Sequence, residues 1–290
     1  MSGAKPATGD GGRAFQPLRR LAGAVGLAAY ALVDSARGTV TFVGRLAILA
    51  RLTAVWTWRV YVSRSASLGI EHLVAQMVRV GYRSIPIVVL VQSFVGVILA
   101  LQMAPTLESY GQLQRVADVV GIAMFRELGP LLSAIVLSGF AGAAIAAEIG
   151  SMVEAEEIKA MKAVALNPIR FLVVNRVLAT TIMLVALSVI ADVVGVLGGL
   201  LTAVGVLGLT ATEYLEYTRM AITHKDFLTG LVKAGVFGAL IALIACEEGL
   251  SVSGGAEGVG RGTTNTVIKS IVALITTDVI FTAVFYAYGL

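Results

Sequence analysis

From Ser84 to Leu107 the chain runs without one charged side chain, and Leu128 to Ala147 does the same. Three further runs carry a single charge each: Val177 to Thr212 with Asp192, Phe227 to Cys246 with Lys233, and Ser270 to Leu290 with Asp278. A helix needs about 20 apolar residues to cross a hydrocarbon core about 30 Å thick. Such runs exclude an ordinary water-soluble domain, in which roughly a quarter of residues are charged; here the figure is 14%. The fold class expected is an all-α integral membrane protein with about five transmembrane helices, near 84–107, 119–147, 174–208, 227–249 and 267–289, preceded by an N-terminal interfacial helix. At 1.5 Å of rise per residue the third of these is longer than one straight crossing, so it tilts or projects beyond the bilayer.

The basic residues give an orientation. Seventeen of the 22 Lys and Arg fall in residues 1–83, the connection after Glu148 and the connection near 250–269, against three on the opposite side. By the positive-inside rule the N-terminus is cytoplasmic and the C-terminus lies across the membrane. The net charge of +4 therefore reflects topology and points to no nucleic-acid partner. Three regions are expected: residues 1–37 as a flexible basic extension, 38–83 as an interfacial amphipathic region, and 84–290 as the membrane domain. Within the extension, Met1 to Gly12 reads as solvated, and Leu21 to Val33 as a membrane-surface segment or a signal-peptide core. Arg45, Arg51 and Arg59 interrupt the apolar stretch that ends in Trp56, Trp58 and Tyr61, a pattern suited to the headgroup region.

Ionisable groups at membrane depth face a cavity, a partner or the aqueous edge. Arg126 and Glu127 are adjacent, so along a helix they do not face each other, and Pro130 leaves the carbonyl of Arg126 without its helical donor. Two readings stand: a polar pocket near the outer leaflet, or a helix start at the water boundary. Gln92 and Gln102 in the first span suit bonds to neighbouring helices. Asp192, Lys233 and Asp278 read as charges packed against partners or as proton-relay groups, and Glu247 and Glu248 as a solvated helix end. Gly139 with Ala143, Gly142 with Ala146, and the glycines at 195, 198, 199, 205 and 208 permit close helix approach. Gly254 to Gly262 reads as a flexible turn.

Glu154 to Arg170 has a different texture. Ile158, Met161 and Ala165 recur at helical spacing opposite Glu156, Glu157, Lys159 and Lys162. Asn167 suits an N-cap and Pro168 a first helical turn, so a short amphipathic helix ends near Leu166 and another begins at Pro168. It is shaped either to dock into a groove on a soluble partner or to rest on the membrane surface. No P-loop sequence is present. One cysteine, Cys246, and two histidines, His72 and His224, leave no basis for a disulfide within the chain or for a metal or cofactor site.

Gly96–Gln102 (GVILALQ), Arg126–Pro130 (RELGP), Ala141–Met152 (AGAAIAAEIGSM) and Glu156–Arg176 (EEIKAMKAVALNPIRFLVVNR) closely resemble the MlaE/YrbE permease family, over roughly residues 80–290. The resemblance implies a membrane subunit of an ABC transporter that moves phospholipids or related lipids between the inner membrane and the far side of a bacterial envelope. It implies a separate ABC ATPase, an MCE-domain substrate-binding protein and a second permease copy, identical or paralogous. It assigns Gln102, Arg126 and Glu127 to a lipid cavity, with Leu99, Leu107 and Tyr110 beside them. It assigns ATPase coupling to Glu154, Glu156, Glu157, Ile158, Lys159, Met161 and Leu166. The chain departs from the family pattern at Ser138-Gly139-Phe140, where many members have Ala-Gly-Arg, and at Asn167-Pro168, where most have Asp-Pro. The alternatives from the residues themselves are an ion-coupled secondary transporter built on Asp192, Lys233 and Asp278, and a non-transporting scaffold. No catalytic constellation supports an enzyme.

Overall fold

The computed structural model describes residues 16–62 and 70–289, and every regular element among them is helical. The chain divides into two units, residues 1–48 and 49–290. The first holds most of helix α1 (Gln16–Thr57), which takes in Leu21 to Val33; Met1 to Gly12 lies outside the described residues. In the second unit, α1 ends in a π-helical turn, Trp58–Val62. There follow α2 (Ile70–Val80), α3 (Ile85–Ser109), α4 (Val116–Ala123), α5 (Gly129–Leu137), α6 (Ala143–Glu154), α7 (Glu157–Ala163), α8 (Val174–Gly205), α9 (Ala211–Ala221), α10 (His224–Leu250) and α11 (Gly255–Ala287).

Among the described residues six stretches are long and apolar enough to cross a membrane, and they include the expected five, which extend as Ile70–Ser109, Leu113–Glu154, Ile169–Gly205, His224–Leu250 and Gly255–Ala287. The sixth, Arg37–Val60, lies where a headgroup-region helix is expected; its length and composition admit either placement. Arg59 lies over the ring of Trp56 at 5.5 Å and Arg170 lies over it at 5.9 Å. A guanidinium over an aromatic ring contributes about 0.5–1 kcal/mol at an exposed site and more where water is excluded.

Small residues draw the spanning helices together. A Cβ on Gly96 would stand 1.9 Å from the Gly195 carbonyl oxygen, and one on Gly198 would stand 2.3 Å from that of Ser93, so α3 and α8 touch backbone to backbone. Gly238 abuts Thr181 in α8 and Gly249 abuts Ile149 in α6. Where lipid tails are as apolar as leucine, such close van der Waals packing drives association. The same test separates Gly142, which meets Ile241, from Gly139 and Gly205, which face open space. Ala100, Ala104, Val120, Met124, Val196 and Tyr214 form a core in which the Tyr214 hydroxyl donates to the Val196 carbonyl at 3.3 Å.

Two expectations need correction. The glycines after Gly254 form the first turns of α11 instead of a flexible turn, because a Cβ at Gly258 would meet the Ser253 carbonyl oxygen at 2.1 Å and one at Gly262 would meet Val252. Glu247 and Glu248 are buried, not solvated: Ser251 donates to Glu247, and Lys269 from α11 pairs with Glu248.

Candidate functional site

Between α4 and α5 the helix widens into a π-helical turn, Met124–Leu128, ahead of Pro130. Proline supplies no N–H at a point where the ladder would need one, and a π-turn is one way to absorb that fault. The amide of Gln92, buried on α3, donates to the Leu128 and Gly129 carbonyls and the Ser133 hydroxyl, each at 3.4 Å. Gln92 thus bonds a neighbouring helix, as its position in the sequence suggested.

The widened turn presents Arg126 and Glu127 to α10, where Asp226, Gly230 and Lys233 follow one another up a single face. Arg126 pairs with Asp226 at 3.3 Å. Glu127 Oε2 lies 2.6 Å from Lys233 Nζ. Between these two pairs, a Cβ on Gly230 would stand 2.1 Å from the Phe125 carbonyl oxygen. Only a bare backbone lets α10 come close enough for both ion pairs to form. Asp226 has a second duty: its other oxygen accepts from the Thr223 backbone N–H and hydroxyl, closing the capping box of α10.

Lys233, 1% exposed, also reaches Asp278 at 2.9 Å and the Thr282 hydroxyl at 3.0 Å on α11. Thr282 in turn donates to Glu127 Oε1 at 2.9 Å. A buried ammonium is tolerable only with such partners. Glu127, Asp278 and Thr282 then edge an open recess of about 530 Å³ whose remaining wall is Val279, Ala283 and Tyr286. Nearby, Asp192 on α8 is buried with its Oδ1 lacking a hydrogen-bond partner, close against Gly129. Lys233 and Asp278 are therefore charges packed against partners.

The other expected cavity residues lie elsewhere. Leu99 and Leu107 are half-buried against the core around Met124 and Tyr214. Gln102 and Tyr110 are exposed on and just after α3. The structure thus joins Arg126 and Glu127 to α10 and α11 and leaves Gln102 and Tyr110 on an outer face. Asp226 and Thr282 were missed by the sequence reading. Thr223 three residues ahead of Asp226 was the available signal for a capping box, but nothing local points to Thr282.

At the other end of the bundle, α6 stops at Glu154 and α7 begins after Glu156, whose φ is 59°. The amphipathic helix is shorter than expected, Glu157–Ala163, and Ala165 falls past its end at φ 59°. Ile158 is buried and Met161 half-buried, while Glu154, Glu157 and Lys162 are exposed. Lys159 donates to Glu156 at 2.7 Å, and that hydrogen bond holds the Glu156 carboxyl below its ordinary pKa. Val164 and Leu166 are exposed at 67% and 41%, beside a recess of about 740 Å³ walled by Val153, Ile158, Pro168 and Leu250. Asn167 caps the next turn, accepting from the Ile169 and Arg170 N–H groups at 3.0 and 3.4 Å.

A model of the family described as Permease MlaE matches residues 73–284. The chain belongs to the MlaE permease family. It is 37% identical over 219 residues to a probable ABC transporter permease protein of Rickettsia felis, an alignment covering 76% of this chain and 85% of that one. A probable ABC transporter permease protein of Synechocystis is 36% identical over 70% of this chain and 78% of its own. The Arabidopsis thaliana chloroplastic protein TRIGALACTOSYLDIACYLGLYCEROL 1 is 30% identical over 74% of this chain and 62% of its own. The family match takes in α3 to α10 entire, and with them the Arg126–Glu127 turn, the Lys233 cluster and α7; α1 lies before it. Membership makes this chain a multi-pass permease.

Proposed function

We propose that this permease is the membrane subunit of an ABC transporter that moves phospholipids or related lipids between the inner membrane and the outer part of a bacterial envelope. One observation carries the reading: Glu127, Asp278 and Thr282 form a polar edge, anchored by buried Lys233, on a recess whose wall is otherwise Val279, Ala283 and Tyr286. A charged edge beside an apolar wall is what an amphiphile requires, its headgroup meeting the one and its chains the other. The similarity to relatives named as ABC transporter permeases supports the coupling to ATP.

The recess is open along α11, and a second permease copy, identical or paralogous, would close it. Leu99, Gln102, Leu107 and Tyr110 would then line the wider cavity between copies, with Arg126 and Glu127 at its polar end. The ATPase subunit would grip α7, with Glu154, Glu156, Glu157 and Lys159 offering charge and Leu166 an apolar contact. Ile158 and Met161 would pass the motion into the bundle. An MCE-domain protein would receive lipid on the opposite side, the N-terminus being cytoplasmic.

Purification in mild detergent, with identification of the proteins and lipids that accompany the chain, tests the proposal. A nucleotide-hydrolysing partner and bound phospholipid are expected. Lipid transfer driven by an ion gradient with no ATPase, or lipid traffic indifferent to Glu127→Ala, would overturn it in favour of a secondary transporter or a scaffold.

A further inference from the structure

A second recess, of about 320 Å³, lies between α2, the end of α6, α7 and the start of α8. On α2, His72, Ala75 and Gln76 line it, and Arg79 follows on the same helical face. Ile70, Val74 and Val78 on the other faces of α2 are exposed. Arg176, 4% exposed, forms part of its wall. Its two terminal nitrogens are engaged: Nη1 donates to the Leu172 carbonyl at 2.8 Å and Nη2 meets Glu148 at 3.1 Å. Its Nε is buried without a partner, and so is Gln76 Oε1. Glu148 is shared with Arg79 at 2.8 Å, so one carboxylate stands against two guanidinium groups.

A buried donor and a buried acceptor left unpaired beside a recess of ligand size call for an occupant. Its chemistry follows from the lining. The Arg176 guanidinium in the wall, with one N–H unspent, calls for an oxyanion, and Gln76 Oε1 calls for a hydroxyl or similar donor on the same molecule. The rest of the wall includes Met152, Met161, Phe171 and Leu172. A hydrated free phosphate gains nothing from those four side chains, whereas the apolar part of an amphiphile does. We infer that this recess binds one anionic phospholipid, its phosphate toward Arg176 and His72, a headgroup hydroxyl toward Gln76 and its apolar portion along Met152, Met161 and Phe171. The site lies on the α7 side of the bundle, away from the Glu127 recess, and needs nothing of the transport reading. Because Met161 belongs to α7, an occupied recess ties α2 to that helix.

The full-length chain, delipidated in mild detergent, is titrated with phosphatidylglycerol, with phosphatidylcholine and with inorganic phosphate, and retained lipid is read by native mass spectrometry. One retained phosphatidylglycerol is expected, with at least tenfold less phosphatidylcholine and no displacement by phosphate. Ala75→Trp fills the recess without removing a polar group, and Gln76→Leu removes the acceptor; each is expected to lower retention at least fivefold with an unchanged unfolding midpoint. Equal retention by wild type and Ala75→Trp overturns the site, and displacement by inorganic phosphate overturns the lipid in favour of a free anion. Retention that follows Glu127→Gln instead would place the bound lipid in the other recess and refute this assignment while leaving the transport reading intact.

Discussion

Lys233 Nζ lies 2.6 Å from Glu127 Oε2, so a cation in the middle of one spanning helix answers a carboxylate presented by a π-helical turn in another. Asp278 and Thr282 from a third helix complete its shell. Removing the cation leaves two carboxylates with only hydroxyl and solvent to stabilise them. Lys233→Met is expected to lose about 3–5 kcal/mol, the usual penalty for breaking a buried pair, seen as a lowered unfolding temperature in detergent. The triple variant with Glu127→Gln and Asp278→Asn should recover much of that loss; a triple variant no more stable than the single one would show that the loss comes from packing and not from charge.

Gly96 and Gly139 are both helical glycines in spanning segments, yet their fates under substitution should have opposite sign. A Cβ at 96 meets the Gly195 carbonyl oxygen at 1.9 Å, backbone that has nowhere to move, while at 139 nothing lies within 4 Å. Gly96→Ala should part α3 from α8 and cost about 1–3 kcal/mol through overpacking. Gly139→Ala should be neutral or gain up to about 1 kcal/mol from helix propensity. Thermal unfolding of the two variants side by side checks both signs at once.

Asn167 accepts from two backbone N–H groups at the start of the turn that leads into α8. Asn167→Ala should cost about 1 kcal/mol, the ordinary value of a lost N-cap, and Asn167→Asp should be neutral because Asp caps equally well. Urea titration of the three proteins distinguishes the outcomes.

The spanning helices and the cap at Asn167 were legible because they rest on local patterns, uncharged runs and an Asn-Pro pair. The partners of Arg126, Glu127 and Glu148 were not, because Asp226, Lys233 and Arg79 lie far away in sequence and only helix packing brings them close. Gly254 to Gly262 misled for a related reason. Glycine signals a turn locally, but here the demand for glycine comes from Ser253 and Val252 pressing on a helix, and no local pattern reports a neighbour. Glu247 and Glu248 looked solvated because a helix end usually is, and the lysine that holds Glu248 sits on α11.

The short helix α7 is set between two residues in the left-handed region, Glu156 and Ala165, both at φ 59°. A residue with a Cβ pays roughly 1–2 kcal/mol for that conformation, so the segment is held in shape by its surroundings, not by its own preference. If α7 carries force from an ATPase, that rigidity matters as much as its charges. Glu156→Lys with Glu157→Lys should reverse the charge met by a docking partner while leaving the buried Ile158 in place, and so abolish ATP-driven lipid transfer with membrane insertion unchanged. Ala165→Gly removes the strain and should keep transfer, whereas Ala165→Val, β-branched and ill suited to positive φ, should deform the turn and lower transfer several-fold. Reconstituted transfer and partner co-purification measured on each variant decide the matter: full transfer by the charge-reversed chain would remove α7 from the coupling path.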